Sequence, residues 1–592
     1  MEVISRKDLD FLLYDWLKID SLTQEPYFAD QDPADWKAFL DLAETLSVKE
    51  FLPTLKPSDR IEPALVDGQV ITEPSLKAAV EKWFNAGMHL ASVSGDHGGM
   101  GLPFTLACAS MAELMAANVT GASFPMLTVA NARVITSFGT PAQIRAFAAP
   151  QYEGRAFGTM CLSEPDTGSS LGDIITRALP DGEDDLGPRY RLRGNKMWIS
   201  AGDQDISGDI IHLVLAKVPK SDGSLPGGSE GISLFLVPKY LPESHGGGRN
   251  DVTVQGLNHK MGNRGTPNCL MGFGEAEGAL GWLLGREGQG LRIMFQMMND
   301  ARINVGLSGA ALAYRGLILS TDYAAQRRQG RLQTDKSAPR PVVLNEHPDI
   351  RRMILAQRAI AEGALALCLK SALLADLADH AEDEATRTES AALLGLLTPV
   401  TKSWPSEEAS TSLSHAIQIH GGYGYTRDFD VEQLWRDNRL NPIHEGTTGI
   451  QGIDLLGRKI LNEGGGRLKS FLTRLRQDAQ GTAFAPEAKA LCQAADQIEG
   501  LVDRLLATGK TGEALGNATG FLQAFGHLVL GWVWLDLARS AQGTPLEQTK
   551  AATCRYFFAA EMPRIPAMLA LLDQAPAFLA NLDPALFQPE VS

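Results

Sequence analysis

Asn441-Pro442-Ile443-His444-Glu445-Gly446-Thr447-Thr448-Gly449-Ile450-Gln451 is the stretch on which the reading of this chain turns. It gathers a carboxylate, a glycine and two hydroxyls into a short polar turn, just after the aromatic and charged run Glu432-Gln433-Leu434-Trp435-Arg436-Asp437. A carboxylate in such a turn can be aimed into a pocket as a base, and Gly446 lets a ligand approach the backbone closely. On these residues alone the alternative stands that Glu445 caps or ion-pairs a helix end.

Working outward, Met160-Cys161-Leu162-Ser163-Glu164-Pro165-Asp166-Thr167-Gly168-Ser169-Ser170 and Lys196-Met197-Trp198-Ile199-Ser200 stand upstream. Met298-Asn299-Asp300-Ala301-Arg302 and Gln418-Ile419-His420-Gly421-Gly422-Tyr423-Gly424-Tyr425 follow. In order and spacing these motifs, together with the glutamate turn, resemble the acyl-CoA dehydrogenase family over residues 40 to 465. The resemblance implies an α+β chain with an N-terminal helical domain, a central β-domain and a C-terminal four-helix bundle. A tail longer than that plan resembles the additional C-terminal helical domain of some larger bacterial members. The expected bounds are 1–155, 156–280, 281–465 and 466–592.

At 592 residues the chain exceeds one hydrophobic core, which fits several domains. Hydrophobic content of 44% and charged content of 21% are those of an ordinary globular protein. A net charge of −16 argues against a nucleic-acid binder. It says little about coenzyme A, which local arginines and amides can hold against an acidic background. Cys108, Cys161, Cys269, Cys368, Cys492 and Cys554 form neither a CxxC pair nor a zinc-type cluster, so a reducing compartment is expected and no metal. The N-terminal residues carry no apolar h-region, and no uninterrupted apolar run has the length of a membrane span. The expected location is the cytoplasm.

Periodicity supports the same organisation. Phe11, Leu12, Trp16 and Leu17, then Leu76, Ala79, Val80, Trp83 and Phe84, recur at helical spacing, and a helix is predicted from Leu106 to Met115. The glycines of Gly95 to Gly101 suggest close backbone packing or a turn. Tyr190 to Ser200 alternates like a strand with a turn inside it, and Ile210–Val218 and Ile232–Val237 are apolar runs of strand length. A small β-barrel or sandwich is predicted there. Helical spacing returns over Leu307–Arg328, Ile350–Leu377 and Glu389–Ile419, and again beyond Gly464-Gly465-Gly466, which reads as a flexible joint.

The chemistry implied by the resemblance is α,β-desaturation of an acyl-CoA thioester, with hydride leaving the β-carbon for N5 of FAD. Glu445 matches the base that takes the α-proton; burial would raise its pKa, and its own amide would help hold the thioester carbonyl. For FAD, the implied contacts are Met160, Leu162, Ser163, Gly168, Ser169, Trp198, Ser200 and Thr447, with Trp198 shielding one side of the flavin. The adenosine half, held in the family by a neighbouring subunit, would meet Arg327, Gln418, Gly421 and Gly422, with Arg328 an alternative to Arg327. Gly449 stands where many relatives carry a cofactor-binding glutamine. For substrate, the implied contacts are Ser169, Asn299, Arg302, His444, Glu445 and Gly446. The residue-level alternative for Arg302 is a surface ion pair beside Asp300. Glu164-Pro165 reads as a turn former rather than a second acid.

The resemblance further implies an electron-transfer flavoprotein as acceptor and a homo-oligomer, with a homodimer expected. The expected substrate is a medium-to-long straight-chain acyl-CoA of fatty acid β-oxidation, with 3-methylmercaptopropionyl-CoA as the alternative. An acyl-CoA oxidase, using the same base and flavin but admitting oxygen, and a non-enzymatic thioester-binding scaffold are the rival classes.

Overall fold

The computed structural model describes residues 2–509 and 511–588, apart from the side chains of 295–299. The chain divides into two compact units. One comprises Gln31–Ala301 with the N-terminal residues through Val3; the other joins Ile4–Asp30 to Arg302–Ser592. Residues 4–30 were expected among the N-terminal helices. They belong instead with the second unit, because their apolar face and Asp8 find partners there.

The first unit opens with helices. In Pro33–Leu46, Asp32 caps Ala34 N–H, and Trp36, Phe39, Leu40 and Ala43 recur on one buried face. Pro74–Asn85 buries Leu76, Val80 and Trp83, the last edge-on to Phe51 at 5.9 Å. The helix expected from Leu106 to Met115 runs from Phe104 to Phe138, broken at Asn118 (φ −160°, ψ 99°). The Asn118 amide donates to Thr54 and Ser58 hydroxyls, which holds the break in place. In the glycine loop, a Cβ on Gly99 would lie 1.9 Å from the Val93 carbonyl, so close packing is its purpose.

Among the described residues ten strands are numbered in chain order. β1 (Ala64–Val66) and β2 (Gln69–Ile71) form a hairpin, and β3 (Ala156–Cys161), β4 (Arg177–Asp184), β5 (Gly187–Ser200) and β6 (Asp209–Lys217) begin the main sheet. β7 (Ile232–Pro238), β8 (Val252–Leu257), β9 (Asn268–Phe273) and β10 (Ala279–Leu284) complete it. The order is β10-β7-β6-β4-β5-β9-β8, and β10 also pairs with β5, so the sheet closes on itself as a small barrel. β3 joins the outside of β6 in parallel from Ala156↔Asp209 to Cys161↔Val214. β6 and β7 are buried on both faces, which is why they read as continuous apolar runs.

β5 is long enough to serve two partners: its first half pairs with β4 and β10, its second with β9. The turn expected inside it is a bulge instead. Register with β9 slips between Lys196 and Ile199, and Trp198 takes a left-handed φ of 66°. Buried Lys196 bonds inward to Glu164 (2.9 Å) and the Leu162 carbonyl (3.0 Å), which pins one edge of that bulge.

In the second unit, Pro348–His380 and Glu384–His420 are long antiparallel bundle helices. The Arg302–Gln326 part of helix Gly290–Gln326 meets Glu384–His420 almost backbone to backbone. A Cβ on Gly306 would lie 1.9 Å from the Thr401 carbonyl, and one on Gly309 2.9 Å from that of Pro405. Pro405 has no N–H to give the Thr401 carbonyl four residues back, which frees it for this contact.

The C-terminal helices are packed into the same unit. Central helix Ala518–Ser540 is buried almost throughout, Trp534 donates to the Ala359 carbonyl at 2.9 Å, and a Cβ on Gly526 would meet Trp404 at 2.5 Å. The triglycine run is a hydrogen-bonded reversal rather than a loose joint: Gly464 and Gly465 take φ of 66° and 79°, and Gly465 N–H bonds back to Ile460. At the core, Lys550 pairs with Asp8 and with Glu362 (2.8 Å), Tyr314 donates to Asp8 at 2.8 Å, and Phe11 and Trp534 rings face the ammonium. Helices Asp300–Gln326 and Thr511–Ser540 have the length and apolarity of membrane spans, but 83% and 89% of their apolar windows are buried within the protein.

Candidate active site

The glutamate turn connects helix Val431–Asn438 to helix Thr448–Ile453. Backbone bonds from Asn441, Ile443 and His444 to Asn438 and Leu440, and from Thr448 to Pro442, close it. Glu445 and Gly446 take φ of 52° and 84°. A left-handed φ at a glutamate is strained, and the surrounding bonds must hold it. Gln451 donates from its side chain to the Glu445 carbonyl at 3.1 Å, Thr447 caps Ile450 N–H, and Thr448 donates to Glu407 at 2.5 Å. Among the described residues no acceptor engages the Glu445 amide, which therefore remains a donor for a ligand.

Glu445 is half-buried in a charged setting. Burial pushes its carboxyl above the usual range, and Lys402 and then Arg302 pull the other way. Lys402, wholly buried, donates to the Asn441 carbonyl at 2.7 Å. Burial lowers its ammonium to about 8 against the opposing pull of Glu445 and Glu407. His444 is lowered to about 3 by burial and then Lys402, so it is a neutral imidazole, and its Nε2 lies 3.3 Å from Asn441 Oδ1. The Asn441 amide reaches Ser308 and Asn438, each at 3.1 Å.

Arg302, expected at the coenzyme A nucleotide, is 5% exposed and donates to Asp454 at 2.9 Å. That ion pair is internal, where the residue-level alternative was a surface pair with Asp300. Asp300, beside which it was read, pairs with Arg133. The Asn299 side chain lies outside the described residues.

In the first unit, Met197 N–H donates to the Ser163 carbonyl at 3.0 Å, drawing the Met160–Ser163 edge against the Trp198 bulge. Ser200 ends β5 opposite Asn268. Trp198 is 58% exposed despite its size, so its indole is held out by the backbone. Glu164 is not an acid in reserve: Ile175 and Thr176 amides, the Thr176 hydroxyl and Lys196 all bond to it, and its carboxyl is held below its ordinary value. It anchors the loop that carries Gly168 and Ser169, both exposed, with open space where a Gly168 Cβ would stand. Asp184, Asp185 and His245 converge in this unit, but Asp184 already accepts from Trp282, Arg189 and Leu186 N–H.

A separate group gathers at the far end of helix Glu384–His420. Tyr323 stacks on His420 at 4.4 Å, bringing the end of helix Gly290–Gln326 beside Gln418, Gly421 and Gly422. Those three and Arg327 are exposed, and a Cβ on Gly421 or Gly422 would meet nothing within 4 Å. Arg328 is tied to the Pro341 carbonyl at 3.3 Å, which leaves Arg327 the freer guanidinium. Lys402 and Gln418 lie sixteen positions apart on one helix, about 24 Å at the helical rise.

Lys402, Glu407 and Asp454 join the site without having been expected there, and Asn441 and Gln451 gain roles in it. The available signal was Lys402 itself, a single cation in the apolar run Leu393 to Trp404.

An outward indole, a small barrel with hydroxyls at its rim and open glycine positions fit a flavin, and a strained carboxylate raised by burial fits a base acting on a weak carbon acid. This is the make-up of an FAD-containing oxidoreductase for acyl thioesters. The chain belongs to the acyl-CoA dehydrogenase family. The acyl-CoA dehydrogenase N-terminal, middle and C-terminal domain models match residues 59–155, 159–275 and 288–461, and the acetyl-CoA dehydrogenase C-terminal like model matches 468–583. The chain is 36% identical to 3-methylmercaptopropionyl-CoA dehydrogenase of Ruegeria pomeroyi, over 83% of this chain and 82% of that protein. It is 29% identical to a broad-specificity linear acyl-CoA dehydrogenase of Mycobacterium tuberculosis, over 98% and 99%. The fold is shared with an acyl-CoA dehydrogenase complexed with FAD from Bacillus anthracis, at TM-score 0.74 and 21% identity, covering 93% of this chain and 89% of that one.

Proposed function

We propose that this enzyme desaturates an acyl-CoA thioester between its α- and β-carbons, with Glu445 as the base. The observation that carries the reading is the Glu445 turn: a half-buried carboxylate with raised proton affinity on a strained backbone, beside its own unengaged amide. Glu445 takes the α-proton, and its amide holds the thioester oxygen as charge develops there. Gln451 keeps the corner closed, and His444 beside it is neutral. Met160, Leu162, Ser163, Gly168, Ser169, Trp198, Ser200 and Thr447 would hold FAD, which when bound supplies the hydride acceptor.

The distance between the Glu445 turn and the Arg327, Gln418, Gly421, Gly422 group supports a homo-oligomer in which that far end serves another copy's cofactor; a dimer is our reading. Electron-transfer flavoprotein is the proposed acceptor. The substrate reading is a linear medium-to-long-chain acyl-CoA, supported by the broad-specificity linear relative. A second reading, 3-methylmercaptopropionyl-CoA, is favoured by the 36% identical relative of that name.

Anaerobic titration of the FAD-loaded enzyme with butanoyl-, octanoyl-, palmitoyl- and 3-methylmercaptopropionyl-CoA tests this. Bleaching of the oxidised flavin band by one of these classes, lost in Glu445→Gln, is the expected result. No bleaching by any of them in FAD-loaded protein overturns it, and rapid peroxide formation in air would instead mark an oxidase.

A further inference from the structure

Lys402 is a buried ammonium that donates to a backbone carbonyl, on a buried stretch of helix shared with Leu396, Leu397, Val400 and Trp404. Burying a charge costs several kcal/mol unless it is compensated, so such a lysine is retained against the grain of packing. The compensation here is local and points at one place. Its acceptor, the Asn441 carbonyl, begins the turn that carries Glu445, and the Asn441 side chain continues the network to Ser308, Asn438 and His444. The helix approach at Gly306 and Gly309 seals the lysine in, since a side chain at either glycine would strike the Thr401 or Pro405 backbone.

We propose that Lys402 is a positioning residue of this site: its ammonium holds the Asn441 carbonyl, keeps the left-handed Glu445 corner in place and presents a positive charge to it. The proposal rests on Glu445 acting as the base.

The charges facing this corner come from every element around it. Arg302 stands on helix Gly290–Gln326, Glu407 on Lys402's own helix, and His444 and Glu445 on the turn. Asp454 and Lys459 follow the turn and engage or face Arg302. His444 is neutral and Arg302 is matched by Asp454, which leaves Lys402 the largest opposing influence on Glu445. Lys402 therefore keeps Glu445 ionised down to a lower pH than burial alone would allow, and a base must be ionised to act.

The experiment compares wild type, Lys402→Met, Lys402→Gln and Lys402→Arg, each purified with FAD. The readouts are bound FAD, thermal midpoint and the pH dependence of the anaerobic bleaching rate with the best acyl-CoA of the panel above. Removing the charge is expected to move the acidic limb up by about one pH unit or more, as an opposite charge at short range does. Bound FAD should stay unchanged, and Lys402→Arg should return the limb to near wild type. Lys402→Gln carries the test if Lys402→Met does not fold. A limb unmoved in the charge-free variant, with wild type bleaching normally, overturns the role of Lys402 alone. Wild type that bleaches with no acyl-CoA overturns the reading of Glu445, and the role of Lys402 with it.

Discussion

The Gln451 side-chain amide donates to the Glu445 backbone carbonyl at 3.1 Å, so the helix that follows the turn grips the corner from which the helix starts. The grip explains how a glutamate keeps a backbone conformation that ordinarily suits glycine. Replacing Gln451 with Leu should loosen the corner without touching the carboxylate. The anaerobic bleaching rate is expected to fall about tenfold, equivalent to about 1.4 kcal/mol of lost transition-state stabilisation. Bound FAD, measured by absorbance after purification, should be unchanged.

Glu445 itself makes a prediction about stability with a definite sign. Its folded-state pKa lies above the ordinary value because burial disfavours the charged form. Its contribution is therefore favourable below the unfolded pKa and is lost as pH rises through the folded one. Glu445→Gln removes the charge that is costly at high pH. The variant should melt higher than wild type at pH 8, by about 1–3 °C, and show a smaller difference at pH 5. Equal differences at the two pH values in a thermal melt would contradict the burial account.

Trp198 combines a left-handed backbone with an outward indole, two features that separate by mutation. Trp198→Gly relieves about 1 kcal/mol of backbone strain and removes the ring. The FAD-free protein should melt no lower than wild type, while FAD affinity, read by flavin fluorescence, should weaken about tenfold or more. Trp198→Phe should keep most of the affinity.

The buried ion cluster is the place where stability is concentrated. Lys550→Met leaves Asp8 and Glu362 facing each other without their shared cation. The expected loss is about 3–5 kcal/mol, measured by denaturant unfolding of the second unit's signal. The triple change Asp8→Asn, Glu362→Gln, Lys550→Met should recover much of it, because the three buried charges are removed together and only Arg358, half-buried, loses its Glu362 partner.

What could be read from the sequence follows from how local each signal is. β6 and β7 declared themselves because both faces are buried and the apolar runs are unbroken. The Glu445 turn declared itself because its strain, its glycine and its caps are neighbours in sequence. The β1–β2 hairpin was legible in principle from Asp67-Gly68, whose φ of 49° and 76° are those of a tight hairpin turn, but the strands are short and exposed. The bulge at Trp198 was mistaken for a turn because both break alternation in the same way. The burial of Arg302 and the role of Lys402 escaped for one reason: both depend on a helix crossing set by Gly306 and Gly309, which periodicity along one helix does not reveal. The placement of residues 4–30 was equally hidden, since the partners of Asp8, Tyr314 and Lys550, are 306 and 542 positions away.

That separation bears on how the polypeptide is made. At a synthesis rate of about 5–20 residues per second, Asp8 and the apolar Phe11, Leu12 and Leu13 wait about half a minute to two minutes for Lys550 to leave the ribosome. The first unit's barrel is complete on the nascent chain long before then. This segment lacks its Lys550 partner during that interval, so a chaperone that shields its apolar face should raise the yield of native enzyme.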